Sequence, residues 1–181
     1  VAEICYPMFR MRDQTAGLIG LGRIGRAAAL KAKGLGMRVI VYDPYVLPVD
    51  MVTLGMQPVD LDTLLKESDF IAILAQVSET SRSMLGYEEF KKMKRTSYLI
   101  NVARGDIVNQ PALIRAVQEG LIAGAGLDVT NPEPLPKGHP LWKFENVIIT
   151  PHMGNATREA FRRLSLEAAT DIASVLDGET P

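Results

Sequence analysis

Cysteine is almost missing from this chain. Cys5 stands alone among 181 residues, which excludes an internal disulfide and a thiolate zinc cluster and suits a reducing, cytoplasmic setting. Neither sign of charge is in excess, since 20 lysines and arginines against 21 aspartates and glutamates leave a net −1. That balance offers no electrostatic footprint for nucleic acid or an anionic membrane. No apolar run approaches the length of a membrane span. The N-terminus lacks the basic-then-apolar layout of a signal peptide, and there is no internal repeat or low-complexity tract. What is present, 47% hydrophobic and 23% charged residues, describes a soluble globular domain long enough for a sizeable core.

The glycines fall into a pattern. Gly20, Gly22 and Gly25 have the G-x-G-x-x-G spacing, after an apolar run ending at Leu18-Ile19 and before an alanine-rich segment from Arg23 to Lys33. The spacing predicts a strand, a tight turn and a helix. Gly20 permits the turn, Gly22 removes a Cβ that would hold a diphosphate off the backbone, and Gly25 lets the helix pack on the strand. Free N–H groups of the first helical turn, with the positive end of the helix dipole, then face the diphosphate. A second apolar strand, from Arg38 to Tyr42, ends on Asp43, 18 residues beyond Gly25. A carboxylate there accepts hydrogen bonds from both hydroxyls of an adenosine ribose. A 2′-phosphate would meet its charge at close range, so NAD is expected over NADP. Arg26 and Arg38 are near in sequence, but neither follows the acid directly. Without its context the pattern is a glycine-rich turn beside a solvated aspartate; strand, helix and acid together favour the dinucleotide.

Residues 1–14 lack periodicity and read as a connecting segment, the apolar positions among 4–9 being suited to burial against a partner or another domain. The dinucleotide-binding domain is expected over 15–181. Within it, a short helix and strand fall in Met51 to Val59, followed by a helix capped by Asp60 or Asp62 and ending near Ser68. Buried strands are expected at Phe70 to Leu74, Ser97 to Val102, Ile122 to Val129 and Val147 to Thr150. Gly124 and Gly126 would let the third of these pack closely on a neighbour. Helices are expected near Tyr87 to Met93, from Asn109 to Glu119, and from Ala156 to Leu176, the last with Ala160, Leu164, Ala168, Ile172 and Leu176 on one face. Strands alternating with helices, each strand nearly uniformly apolar, imply an α/β, doubly wound parallel sheet.

In such a sheet, ligands sit at the carboxyl ends of the strands. Gly20 to Gly25, Asp43, Ala75 to Ser78, Ala103, Arg104, Asp128 and His152 therefore read together. The planar fork of Arg104 suits a substrate carboxylate; by position alone it is equally a surface arginine paired with Asp106. His152 follows the last strand and can move a proton near neutral pH, although an arbitrary histidine is more often a core or capping residue. Glu133, boxed between prolines, would hold an imidazole's tautomer, or else is a plain loop acid. His139 is read as serving loop structure.

Six segments occur in order: Gly-Leu-Gly-Arg-Ile-Gly, Tyr-Asp-Pro-Tyr, Asn-Val-Ala-Arg-Gly-Asp-Ile-Val, Gly-Leu-Asp-Val, Pro-Glu-Pro-Leu and Thr-Pro-His-Met-Gly-Asn-Ala-Thr. Together they resemble the nucleotide-binding domain of the D-isomer-specific 2-hydroxyacid dehydrogenases, with the proline-rich loop closest to the glyoxylate/hydroxypyruvate reductase branch. The resemblance implies a Rossmann NAD-binding domain, and catalytic roles for Arg104, Glu133 and His152. It implies that Asp128 lies near the nicotinamide carboxamide. The expected cofactor contacts are Gly20, Gly22, Arg23, Ile24, Gly25, Asp43, Ala75, Val77, Val102, Ala103, Asp128 and Gly154, and no metal is expected. In many members a His-x-Pro follows the third main strand, where this chain has Leu74-Ala75-Gln76. The family's second domain is built from both chain ends, so a cofactor domain from a longer two-domain protein is expected. Pairing as a homodimer and a small 2-oxo or 2-hydroxy acid substrate are implied as well. A different class, an NAD(H)-sensing regulatory or corepressor-like protein on the same fold, is compatible with the same residues.

Overall fold

The computed structural model describes residues 9–180. The first eight residues of the expected connecting segment, with Cys5 and most of the apolar positions among 4–9, lie outside them. By internal contacts the chain divides into residues 1–151 and residues 152–181.

Among its described residues the first unit holds seven strands: β1 (Thr15–Ile19), β2 (Arg38–Tyr42), β3 (Gln57–Pro58), β4 (Phe70–Ile73), β5 (Tyr98–Asn101), β6 (Gly124–Leu127) and β7 (Val147–Ile149). They form one sheet in the order β3-β2-β1-β4-β5-β6-β7, and every pairing is parallel. Five helices connect them: α1 (Arg23–Gly34), α2 (Pro48–Thr53), α3 (Leu61–Glu67), α4 (Tyr87–Lys92) and α5 (Gln110–Gln118). The expected doubly wound α/β sheet is therefore present.

Strand side chains alternate between two apolar layers, as the period of two requires. Ala16 and Leu18 of β1 and Val39 and Val41 of β2 join Ala29 of α1 and Met51 of α2. Ile19, Ile40, Ile71, Ile73 and Leu99 point the other way, onto Leu64 and Leu65 of α3, Phe90 of α4, and Leu113 and Val117 of α5. Each fully buried side chain of this size contributes roughly 1.5–3 kcal/mol of transfer free energy. Local signals set the helix starts. The Asp60 carboxylate caps α3 by accepting from the Thr63 N–H at 2.7 Å, and Asn109 caps α5 by accepting from the Ala112 N–H at 3.0 Å.

The expected Ile122 to Val129 strand is shorter, although ladder-type bonds from Ala123 N to Ser97 O and from Asp128 N to Asn101 O continue it at both ends. Gly124 is packed as expected, since a Cβ there would strike the Asn146 carbonyl. Gly126 is not: a Cβ would meet nothing within 4 Å. It shares a row with Ile100 and Ile148, and Ile148 is exposed on that face.

The second unit contains α6 (Arg158–Leu176), capped by Thr157, whose hydroxyl accepts from the Ala160 N–H at 3.0 Å. None of its residues is buried, and Leu164, Ile172 and Leu176 of the expected apolar stripe are exposed.

Candidate functional site

The reversal of strand order falls between β1 and β4, and the glycine turn leaves β1 at that point. Gly20 has φ +100°, and a Cβ on it would lie 2.6 Å from the Ala75 nitrogen, so the two loops at the crevice touch through bare backbone. A Cβ on Gly22 would point into open space. That is the cradle a diphosphate needs at a helix N-terminus, and the turn fits the dinucleotide. Gly25 differs in detail from expectation, because its Cβ would strike the Gly20 carbonyl in the turn rather than the strand.

Asp43 ties the turn to β2. One carboxylate oxygen accepts from the Leu21 N–H at 2.7 Å and the other from the Tyr45 N–H at 2.9 Å. A carboxylate has about four lone-pair sites, so each oxygen can still take a ribose hydroxyl. Arg38 pairs with Glu67 and donates to the Thr15 hydroxyl at the other end of β2, and Arg26 Nε donates to the Leu21 carbonyl at 3.3 Å. Around the crevice Arg23 is exposed, Ala75 and Val77 are half-buried, and Ile24 and Val102 are apolar yet 70% and 41% exposed. Solvent-facing apolar side chains at the start of α1 and just after β5 suit a ring-bearing ligand. The loop after Ala75 is braced by Ser81, whose hydroxyl donates to the Gln76 carbonyl at 2.8 Å and accepts from the Ser78 N–H at 2.8 Å.

After β5 the chain makes a tight turn around a buried asparagine. The Asn101 side chain accepts from the Ala103 N–H at 3.1 Å and donates to the Arg104 carbonyl at 2.9 Å. Arg104 is exposed, with Nη1 donating to the Ala103 carbonyl at 2.6 Å. Its suggested pairing with Asp106 does not occur; Asp106 binds Arg82 at 3.0 Å and the Asn131 amide at 2.5 Å. Next to Arg104, a Cβ on Gly105 would collide with the carbonyl of Thr130. The Arg104 turn is thus seated directly against the segment that leads into exposed Glu133, which lies between cis Asn131–Pro132 and Glu133–Pro134 peptides. Asn101 and Gly105 carry no chemistry of their own, and an asparagine and a glycine flanking an arginine at a strand end are the only signals that could have revealed them.

Asp128, buried at 8% exposure, follows β6 and accepts from the Thr150 hydroxyl at 2.6 Å. His152 and Gly154 open the second unit, and both are exposed. His152 holds φ +51°, a left-handed conformation that costs a residue with a Cβ on the order of 1–2 kcal/mol. Such strain is typical of functional positions. His139 has the structural part expected of it, its Nδ1 accepting from the Leu141 N–H at 3.3 Å at the start of a turn. A separate open depression of about 320 Å³ is lined by Arg82, Asp106, Asn109, Gln110 and Asn131, whose charged groups already pair with each other. Among the described residues no group of three histidine, cysteine, aspartate or glutamate side chains could hold a metal ion.

Residues 3–154 match the profile described as D-isomer specific 2-hydroxyacid dehydrogenase, NAD binding domain. The glyoxylate reductase of Thermofilum pendens is 44% identical over 172 residues, 94% of this chain and 51% of that protein. The D-3-phosphoglycerate dehydrogenase of Archaeoglobus fulgidus is 40% identical over 168 residues, 93% of this chain and 32% of its own length. The chain therefore spans about half, or less, of the curated relatives it matches. A solved D-isomer specific 2-hydroxyacid dehydrogenase from Lactobacillus delbrueckii ssp. bulgaricus, in its NAD complexed form, superposes with a TM-score of 0.88 at 35% identity. That superposition covers 96% of this chain and 56% of the bacterial one. With a Rossmann sheet, a glycine turn open at Gly22 and an acid at the end of β2, the chain belongs to the D-isomer specific 2-hydroxyacid dehydrogenases, as their NAD-binding domain.

Proposed function

We propose that this chain is the cofactor half of a two-domain enzyme that interconverts 2-oxo and 2-hydroxy acids. The observation that carries this is the contact at Gly105, which supports a shared site for Arg104 and Glu133 at the crevice. NAD, when bound, supplies the hydride or accepts it. Gly20, Gly22, Arg23, Ile24 and Gly25 receive the diphosphate side, Asp43 the adenosine ribose, and Ala75, Val77, Val102, Ala103, Asp128 and Gly154 the remainder. Arg104 anchors the substrate carboxylate and stabilises charge growing on its carbonyl oxygen. His152 donates a proton to the developing alkoxide in reduction and removes one in oxidation. Glu133 keeps the imidazole in the donating state and aimed.

The names of the similar proteins favour glyoxylate or hydroxypyruvate as substrate. A cytoplasmic homodimer is the setting this reading implies. The test is a panel of glyoxylate, hydroxypyruvate, phosphohydroxypyruvate and pyruvate with NADH and NADPH, on a protein joining this chain to a substrate domain. Turnover with NADH in preference to NADPH is expected, and His152→Ala should lower kcat about 10²–10⁴-fold. A His152→Ala rate close to wild type removes the acid assignment. Negligible turnover with every acid, alongside NADH-dependent association, would replace the enzyme reading with the regulatory one.

A further inference from the structure

We propose that Thr150 is a positioning residue for the nicotinamide carboxamide, acting through Asp128. The inference deepens the reading given above, in which Asp128 receives part of the cofactor and, by the resemblance, lies near that amide. Leu127 and Ile149 are the last partners on the β6–β7 ladder, and Asp128 and Thr150 come one step beyond them. Both backbones are still fixed there: Asp128 N–H donates to the Asn101 carbonyl and Thr150 N–H to the Leu127 carbonyl, each at 2.9 Å. What the ladder leaves undetermined is the rotation of the Asp128 carboxylate. The Thr150 hydroxyl constrains it by donating to Oδ1 at 2.6 Å, within the range of a charge-assisted bond.

Threonine suits this task for two reasons. Its branched Cβ leaves few χ1 states, so the hydroxyl is a stiff prop rather than a mobile one. Its bond also requires the Asp128 oxygen to act as acceptor, which is what a donor-only NH₂ group must meet. A carboxylate takes about four hydrogen bonds, and the Thr150 contact occupies one of them. Thr150 would thereby help set the direction from which a bound carboxamide is read.

The experiment is a fluorescence titration of the wild-type chain, Thr150→Val, Thr150→Ser and Asp128→Asn. Each is titrated with NADH and with the reduced analogue whose carboxamide is an acetyl group. Wild type should prefer NADH, and Asp128→Asn should erase that preference. Thr150→Val removes the hydroxyl but keeps the branch; it should weaken NADH by about fivefold to tenfold and leave the analogue within about twofold. Thr150→Ser, which keeps the hydroxyl but not the branch, should restore most of the NADH binding lost in Thr150→Val. Thermal melts check folding, and Thr150→Ala carries the same comparison should Thr150→Val not fold. Equal losses for both cofactors, no loss for either, or failure of serine to restore binding would overturn the proposal. If Asp128→Asn leaves the preference intact, the reading of Asp128 falls as well. If Asp128→Asn erases it but Thr150→Val does not reduce it, only the role of Thr150 falls.

Discussion

At Gly20 the backbone turns with positive φ and a Cβ would press on Ala75, whereas two residues later a Cβ on Gly22 would meet nothing. The two positions should therefore separate folding from binding. Gly20→Ala is expected to lose roughly 1–3 kcal/mol of stability, through strain and the forced shift of the β4 loop. Gly22→Ala should stay within about 1 kcal/mol, the modest penalty for alanine at a helix N-cap. It should nonetheless weaken NADH at least about tenfold by filling the space for the diphosphate. Urea melts and NADH fluorescence measure both, and unchanged NADH affinity in Gly22→Ala would remove the diphosphate from that turn. The turn at Gly20 and the open space at Gly22 were legible because their spacing and flanks have one geometric solution. Gly105 was not, since the carbonyl it clears belongs to Thr130, 25 residues away and invisible to a local pattern.

Among the elements, the apolar strands and the α3 cap could be read because they depend on near neighbours. The two-residue β3 and the precise ends of β6 depend on partner strands instead, and Gly126 misled because its row faces open space. The tie between α4 and α5 was likewise hidden. Tyr87 donates to Glu119 at 2.5 Å, while Arg115 lies 3.8 Å from the Tyr87 ring centre and binds Glu119 at 2.7 Å. Hydrogen bonds from Tyr87 and then Arg115 hold the Glu119 carboxyl below its usual range, and the bond to Glu119 raises the Tyr87 hydroxyl. A depressed carboxyl stabilises the fold above the unfolded value near pH 4, and this is lost as pH falls through the folded value. A raised phenol stabilises below about pH 10, and this is lost as pH rises through its folded value. Tyr87→Phe should thus lower the melting temperature slightly on a plateau between those limits, with the gap closing at each end. A gap independent of pH would show that Tyr87 acts through packing alone.

For the molecule as a whole, the arrangement of the core leads to a prediction about where folding stability resides. The described apolar clusters draw on residues from Ala16 to Ile149, so every buried layer belongs to the unit that ends at Pro151. The unit from His152 onward contributes a 19-residue helix with no buried residue, and helices in proteins draw most of their stability from packing an apolar face. A chain ended after Pro151 should therefore unfold cooperatively, with a midpoint within about 5 °C of the 181-residue chain. It should also bind NADH within about tenfold, one 1.4 kcal/mol step, because the glycine turn and Asp43 remain while the proposed contact at Gly154 is lost. Calorimetry and fluorescence titration of the two lengths side by side provide the check. Loss of cooperative unfolding in the shorter chain would mean that α6 supports the sheet in a way its exposure does not reveal. A collapse of NADH affinity with stability unchanged would instead place more of the cofactor's binding energy beyond Pro151 than on the glycine turn. The expected result, two chains alike in stability and close in affinity, would assign folding and most of the cofactor's binding energy to the residues up to Pro151.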